Sequence, residues 1–137
     1  MTASDVHVYV RVGAERYALP VENVLEVDRL GELAPVPGAG GSSLGVRSHH
    51  GQVLAEFDLA AIFGIARAGR PERIVVAVDA GRRAGLAIDE VTDLGPLPPS
   101  TEESASPYLY GSTLAGGLVV GVVNVRGVFD ALESGDA

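Results

Sequence analysis

The stretch LGVRSHHGQVLAEFDLAAIFG, from Leu44 to Gly64, decides how the chain reads, because its pattern returns from Tyr110 to Asp130 as YGSTLAGGLVVGVVNVRGVFD. A shift of 66 positions brings Gly45 onto Gly111, Gly51 onto Gly117, Val53 onto Val119, Leu54 onto Val120, Asp58 onto Asn124 and Phe63 onto Phe129. Each copy reads as a strand, a tight glycine turn, a strongly apolar strand, and an Asp or Asn N-cap that opens one short helix. In the first copy this predicts strands near 45–50 and 52–57 and a helix over 58–63, ended by Gly64. An internal repeat means that two small, similar units share the chain.

Working outward, Val6, Val8, Val10 and Val12 alternate with His7, Tyr9 and Arg11, the period of a half-buried strand. A turn at 13–15 folds this strand back on residues 16–19. Pro20 is placed to begin one helical turn, and 25–29 reads as a further strand. The stretch GELAPVPGAGGSS is a surface loop, and IARAGRPE is a polar linker. From Arg73 the opening pattern comes back, Leu19 meeting Leu86, Val21 meeting Ile88 and Val24 meeting Val91, with one extra residue in the offset. GPLPPSTEESASP then reads as a second long loop.

A lone barrel of about 65 residues would be marginal by itself, so two units that pack together fit 137 residues better than two independent domains. The expected fold is all-β: two pseudo-symmetric five-stranded β-barrels packed on each other, each with a short terminal helix. The expected division is one domain over 1–137, with subdomain 1 over about 14–70, subdomain 2 over about 72–130, and the N-terminal strand 6–12 packed with the barrels.

The net charge of −8 sets up a field that repels phosphate backbones and anionic lipid, so neither nucleic acid nor direct membrane binding is expected. With no Trp and only seven other aromatic residues, a base-stacking platform is not expected either. The absence of cysteine removes disulfides, thiolate metal sites and cysteine nucleophiles. No secretory leader or membrane span is legible, and the expected location is cytoplasmic.

Three histidines, His7, His49 and His50, are the only candidates for metal or imidazole chemistry. Adjacent strand residues project to opposite faces, so His49 and His50 are not expected to hold one ion together; zinc would need His7 and a carboxylate to converge on one of them. Ser48 beside His49 lacks the strained nucleophile elbow, and GAGGSS lacks the Lys and the helix of a phosphate loop. No catalytic residue, metal or cofactor is assigned. Glu26 interrupts an apolar strand on the face opposite Leu25 and Val27. It either faces water or takes a partner from the first copy, His50 or Arg47.

In ALPVENVLEV (18–27), PVPG (35–38), LGV with its glycine turn (44–51), FDLAAIFG (57–64), GLAIDEVTDL (85–94) and the closing segment 109–132, the chain resembles the CheW-like coupling proteins of bacterial chemotaxis. The resemblance implies a non-catalytic adaptor of twin barrels. It would bridge the cytoplasmic tip of a methyl-accepting chemoreceptor, a helical hairpin laid between the barrels, to the regulatory domain of a CheA-type histidine kinase, and so join membrane-associated receptor arrays. It also implies protein-binding roles for Val24, Glu26, Val27, Gly45, His50 and Gly51, with Val76 and Val91 walling the receptor groove. One departure stands out: where the family usually has Asn-x-Arg-Gly, this chain has Ser48, His49, His50 and Gly51, so His50 replaces the Arg that commonly pairs with the Glu matching Glu26. An imidazole offers no bidentate fork. That departure raises the alternative of a divergent paralogue that binds only receptor or only kinase; the histidines leave a further one, a small metal- or ligand-binding β-barrel or enzyme.

Overall fold

The computed structural model describes residues 5–67, 69–99, 102–135 and 137. In chain order the elements are β1 (Val6–Val12), β2 (Glu15–Pro20), a 3-10 turn (Val21–Asn23), β3 (Val24–Arg29), β4 (Ser43–His49), β5 (Gln52–Asp58) and α1 (Leu59–Phe63). They continue with β6 (Arg73–Asp79), β7 (Arg82–Ile88), β8 (Glu90–Pro96), β9 (Glu102–Glu103), β10 (Leu109–Ala115), β11 (Leu118–Val123) and α2 (Val125–Ser134). The caps behave as their side chains dictate. Asp58 accepts from the Ala60 N–H at 3.1 Å and Asn124 from the Gly127 N–H at 3.1 Å, while Gly64 and Gly135 end the helices in left-handed backbone.

The strands form two sheets, ordered β8-β1-β2-β11-β10-β9 and β3-β6-β7-β5-β4. Apart from the two-residue β9, the orders are the same under the repeat, β1 standing for β6, β2 for β7, β3 for β8, and β4 and β5 for β10 and β11. The repeat is therefore real. Its halves, however, trade their opening hairpins: β1 and β2 lie with β8, β10 and β11, whereas β6 and β7 lie with β3, β4 and β5. The sheets thus do not follow the expected division into 14–70 and 72–130. The exchange is made by parallel ladders, Glu56–Asp58 against Gly85–Ala87 and Val120–Val122 against Arg16–Ala18, which no turn can encode locally. The second long loop is also shorter than its composition suggests, since β8 runs on through Pro96 and Glu102–Glu103 pairs with β10.

The main core lies between the sheets and both helices, and includes Val8, Val10, Val12, Leu19, Leu59, Val75, Leu86, Ile88, Val123 and Phe129. A smaller core of Leu54, Ile74, Val76 and Ala87 fills the inside of the β3-to-β4 sheet. Residues of β6 alternate between the two cores, which explains its unbroken apolar run. Glu56, fully buried, also points into the smaller core, where its Oε2 accepts from Arg47 Nε and its Oε1 has no partner among the described residues. Gly85 opposite makes the room, because a Cβ there would stand 2.7 Å from Glu56 Cγ.

Two outcomes follow from this architecture. Fragments 1–70 and 71–137, each lacking strands of both sheets, are expected to show no cooperative thermal transition alone by circular dichroism, and to regain one when mixed. Arg47→Ala is expected to cost about 3–5 kcal/mol in urea denaturation, because it strands a buried carboxylate. Arg47→Met combined with Glu56→Leu should recover most of that loss.

Candidate functional site

The β3-to-β4 sheet curls until its two edge strands meet, and the seam between them is closed mainly by side chains. Where the loop after β3 crosses over β4, Ala34 and Val46 exchange N–H···O bonds of 2.9 Å each. Gly45 permits this crossing: its φ is 131°, and a Cβ would stand 2.6 Å from the Ala34 carbonyl oxygen. Strand β3 has an inverted pattern at this seam. Leu25 and Val27 face solvent, whereas Glu26 and Asp28 turn toward β4.

Glu26 meets both adjacent histidines, one on each carboxylate oxygen: His49 Nε2 on Oε1, and His50 Nε2 at 3.4 Å from Oε2. Arg83 Nη2 lies 2.9 Å from His49 Nδ1, and its other arm reaches Gln52 Oε1 at 2.5 Å. A guanidinium can only donate, so His49 Nδ1 accepts, and the ring proton sits on Nε2 for donation to Glu26. The two imidazole contacts, His49's first and His50's second, hold the Glu26 carboxyl below its ordinary range. Its charge, and with it the His49 bond, therefore persists as the pH falls until that lowered value is passed. Arg47 is occupied elsewhere, with Glu56 and, at 3.4 Å, Asp28 Oδ2.

The expectation that His49 and His50 project apart is wrong, and the turn is the reason. Strand β4 ends at His49, which pairs with Gln52, leaving His50 and Gly51 as a two-residue hairpin turn with φ of 50° and 77°. Positive φ at both positions is the primed geometry that suits the twist of a hairpin, and it swings His50 back beside His49. The ring centroids are 4.2 Å apart, edge to face. His49 is 5% exposed and His50 74% exposed. His7 belongs to the other sheet, with its Nδ1 2.5 Å from the Asp5 carbonyl, and takes no part.

Of the remaining residues singled out from the sequence, Val24 is half-buried on β3, while Val27 and Val91 are exposed on β3 and β8. Val76 is fully buried in the small core, so as a wall of an open groove it is corrected to an internal packing residue. Four exposed apolar residues stand in repeat-related pairs: Val27 at 41% with Leu94 at 62%, and Val53 at 78% with Val119 at 67%. Val27 pairs with Val75 and Leu94 with Val8, both members of the main core, so this pair carries the core's apolar surface out to its margins. Val53, beside inward-facing Leu54, lies on the outer face near the hairpin turn. Sequence reasoning passed over Leu94, Val53, Val119 and Arg83. The first three were already visible as apolar residues at the repeat offset.

Among the described residues no helix is long and apolar enough to cross a membrane. The CheW-like domain family model matches residues 7–133. Protein FrzA of Myxococcus xanthus is 38% identical over 125 residues, covering 90% of this chain and 76% of that protein. The crystal structure of the scaffolding protein TtCheW from Thermoanaerobacter tengcongensis superposes with a TM-score of 0.79 at 21% identity, over 91% of this chain and 87% of that one. With its fold and almost all its length accounted for in this way, the chain belongs to the CheW-like domain family, the non-catalytic adaptors of chemotaxis signalling.

Proposed function

We propose that this protein couples the cytoplasmic tip of a methyl-accepting chemoreceptor to the regulatory domain of a CheA-type histidine kinase, and that the receptor recruits it to membrane-associated arrays. The observation that carries the reading is the doubling of one apolar surface. Each sheet exposes the same two positions, Val27 and Val53 in one, Leu94 and Val119 in the other. Large aliphatic groups held on rigid strands suit docking, since each removes apolar area from water without first having to be ordered. Val24, Val27, Leu94 and Val91, at the margins of the inter-sheet core, are assigned to the receptor's helical hairpin, which docks on apolar strand surface through its own apolar stripe. Val53 and Val119, with Gly45, His50 and Gly51 setting the shape of the seam and turn near Val53, are assigned to the kinase domain. Glu26 keeps that seam in register.

A second reading, an adaptor for only one of the two partners, is favoured by a specific observation: two imidazoles meet Glu26 where the family's guanidinium is expected. The histidines do supply one bond to each oxygen, but from two rings and without the fixed fork of Arg.

The test is titration calorimetry of the full chain against each purified partner separately. Val27→Lys and Leu94→Lys are expected to weaken receptor-tip binding at least tenfold, about 1.4 kcal/mol or more, and to leave kinase binding unchanged. Val53→Lys and Val119→Lys should do the reverse. As exposed substitutions, all four should change folding stability by no more than about 0.5 kcal/mol. Wild-type binding to one partner alone would establish the second reading, and binding to neither would end both. His50→Arg is expected to strengthen at least one of the two contacts.

A further inference from the structure

We propose that Glu26, His49 and His50 form a binding site for a borderline divalent transition-metal ion, Zn²⁺ in the first instance, at the mouth of the β3–β4 seam. The site shares Glu26 and His50 with the seam and turn described above, but its metal chemistry does not rest on the coupling role. One ligand atom from each of the three residues lies within 4.8 Å of the others. A tetrahedral ion with bonds of about 2.0–2.1 Å needs its ligand atoms roughly 3.3 Å apart, and the 3.4 Å from His50 Nε2 to Glu26 Oε2 already meets that spacing. Two imidazoles and one carboxylate are the donors that zinc, cobalt, nickel and copper prefer, whereas magnesium and calcium demand oxygen.

The backbone supplies the second argument. His50 is one of two non-glycine residues with positive φ among those described, and that conformation is what turns its ring onto the Glu26 carboxylate beside His49. The ligands are also graded in access. His49 is buried and fixed, and the exposed His50 gives an ion its way in. With three protein ligands, a fourth position stays open to water or to a side chain from another protein.

Arg83 opposes the ion and so makes the proposal specific. With metal on Nε2, the proton of neutral His49 must move to Nδ1, where it would face a guanidinium N–H across the present 2.9 Å. Metal-ligating histidines ordinarily donate that second N–H to an acceptor. Arg83 therefore has to turn away as the ion enters, and a residue able to accept there should tighten the site.

The experiment is calorimetric titration of chelator-stripped full-length protein with ZnCl₂, and with MgCl₂ as the comparison, with folding of every variant checked by metal-free thermal melting. One equivalent of Zn²⁺ should bind and Mg²⁺ should not. His50→Asn, chosen because Asn tolerates left-handed backbone, and Glu26→Gln should each weaken Zn²⁺ at least tenfold, while His7→Asn leaves it unchanged. Arg83→Gln should tighten it fivefold or more. Absence of stoichiometric Zn²⁺ binding, undiminished affinity in His50→Asn, or no gain in Arg83→Gln would overturn the three-ligand site.

Discussion

Two parallel ladders of three residues each make one molecule out of two repeats. Where Glu56–Asp58 meets Gly85–Ala87, and where Val120–Val122 meets Arg16–Ala18, a strand from one half completes the sheet begun by the other. Everything else depends on these two joins. They bring the apolar faces of β1, β2, β6 and β7 together as the main core, and they fix the distance between the two outer faces. They also curl the β3-to-β4 sheet so that Glu26 can reach the histidines of β4 and its turn. A sheet that lost its ladder would have an unpaired edge in its middle, where burial leaves no water to satisfy the backbone.

The pseudo-symmetry that the ladders impose is broken by chemistry. Inside one sheet, Arg47 and Glu56 form a buried ion pair. The equivalent positions in the other are Thr113, buried with its hydroxyl donated to the Pro99 carbonyl at 2.8 Å, and Val122. At the hairpin turn, His49 and His50 correspond to Ala115 and Gly116, and Arg83 corresponds to Arg16, whose buried Nη1 has no hydrogen-bond partner among the described residues. The two ends of the molecule therefore share a shape but differ in charge and hydrogen-bonding groups, which is what an adaptor needs if one fold is to meet two different proteins.

Much of the fold is written locally. The Asp58 and Asn124 caps, the closing glycines and the alternation of β1 announce their elements because each is a transaction between near neighbours in sequence. The partners of β2 and β7 are not legible in that way. Either hairpin has the same apolar pattern, so nothing near Tyr17 or Leu86 says which half will receive it. The site shows the same division. Glu26 is conspicuous as a carboxylate in an apolar strand, but its partners depend on where β4 stops. The signal was present, since two residues ending in Gly between alternating strands specify a turn with φ above zero. Counting His50 as strand sent its ring to the wrong face. Val76 failed for a related reason, because an apolar residue in a strand buried on both sides cannot be told from an exposed one by alternation.

The traded hairpins also set an order of events during synthesis. The β1–β2 hairpin leaves the ribosome ahead of β3 to β7, yet β8, β10 and β11, its neighbours in the sheet, follow them. At about 5–20 residues per second, β2 waits about 5–20 seconds for β11. Val8, Val10 and Leu19 lack their core partners until β6 and β7 emerge, and until β11 follows the strand edge of β2 is open to any extended chain nearby, including a hairpin from a neighbouring nascent copy. A cell making this protein quickly thus meets its greatest risk of intermolecular mispairing before β11 is made, since in the folded chain β11 seals that edge.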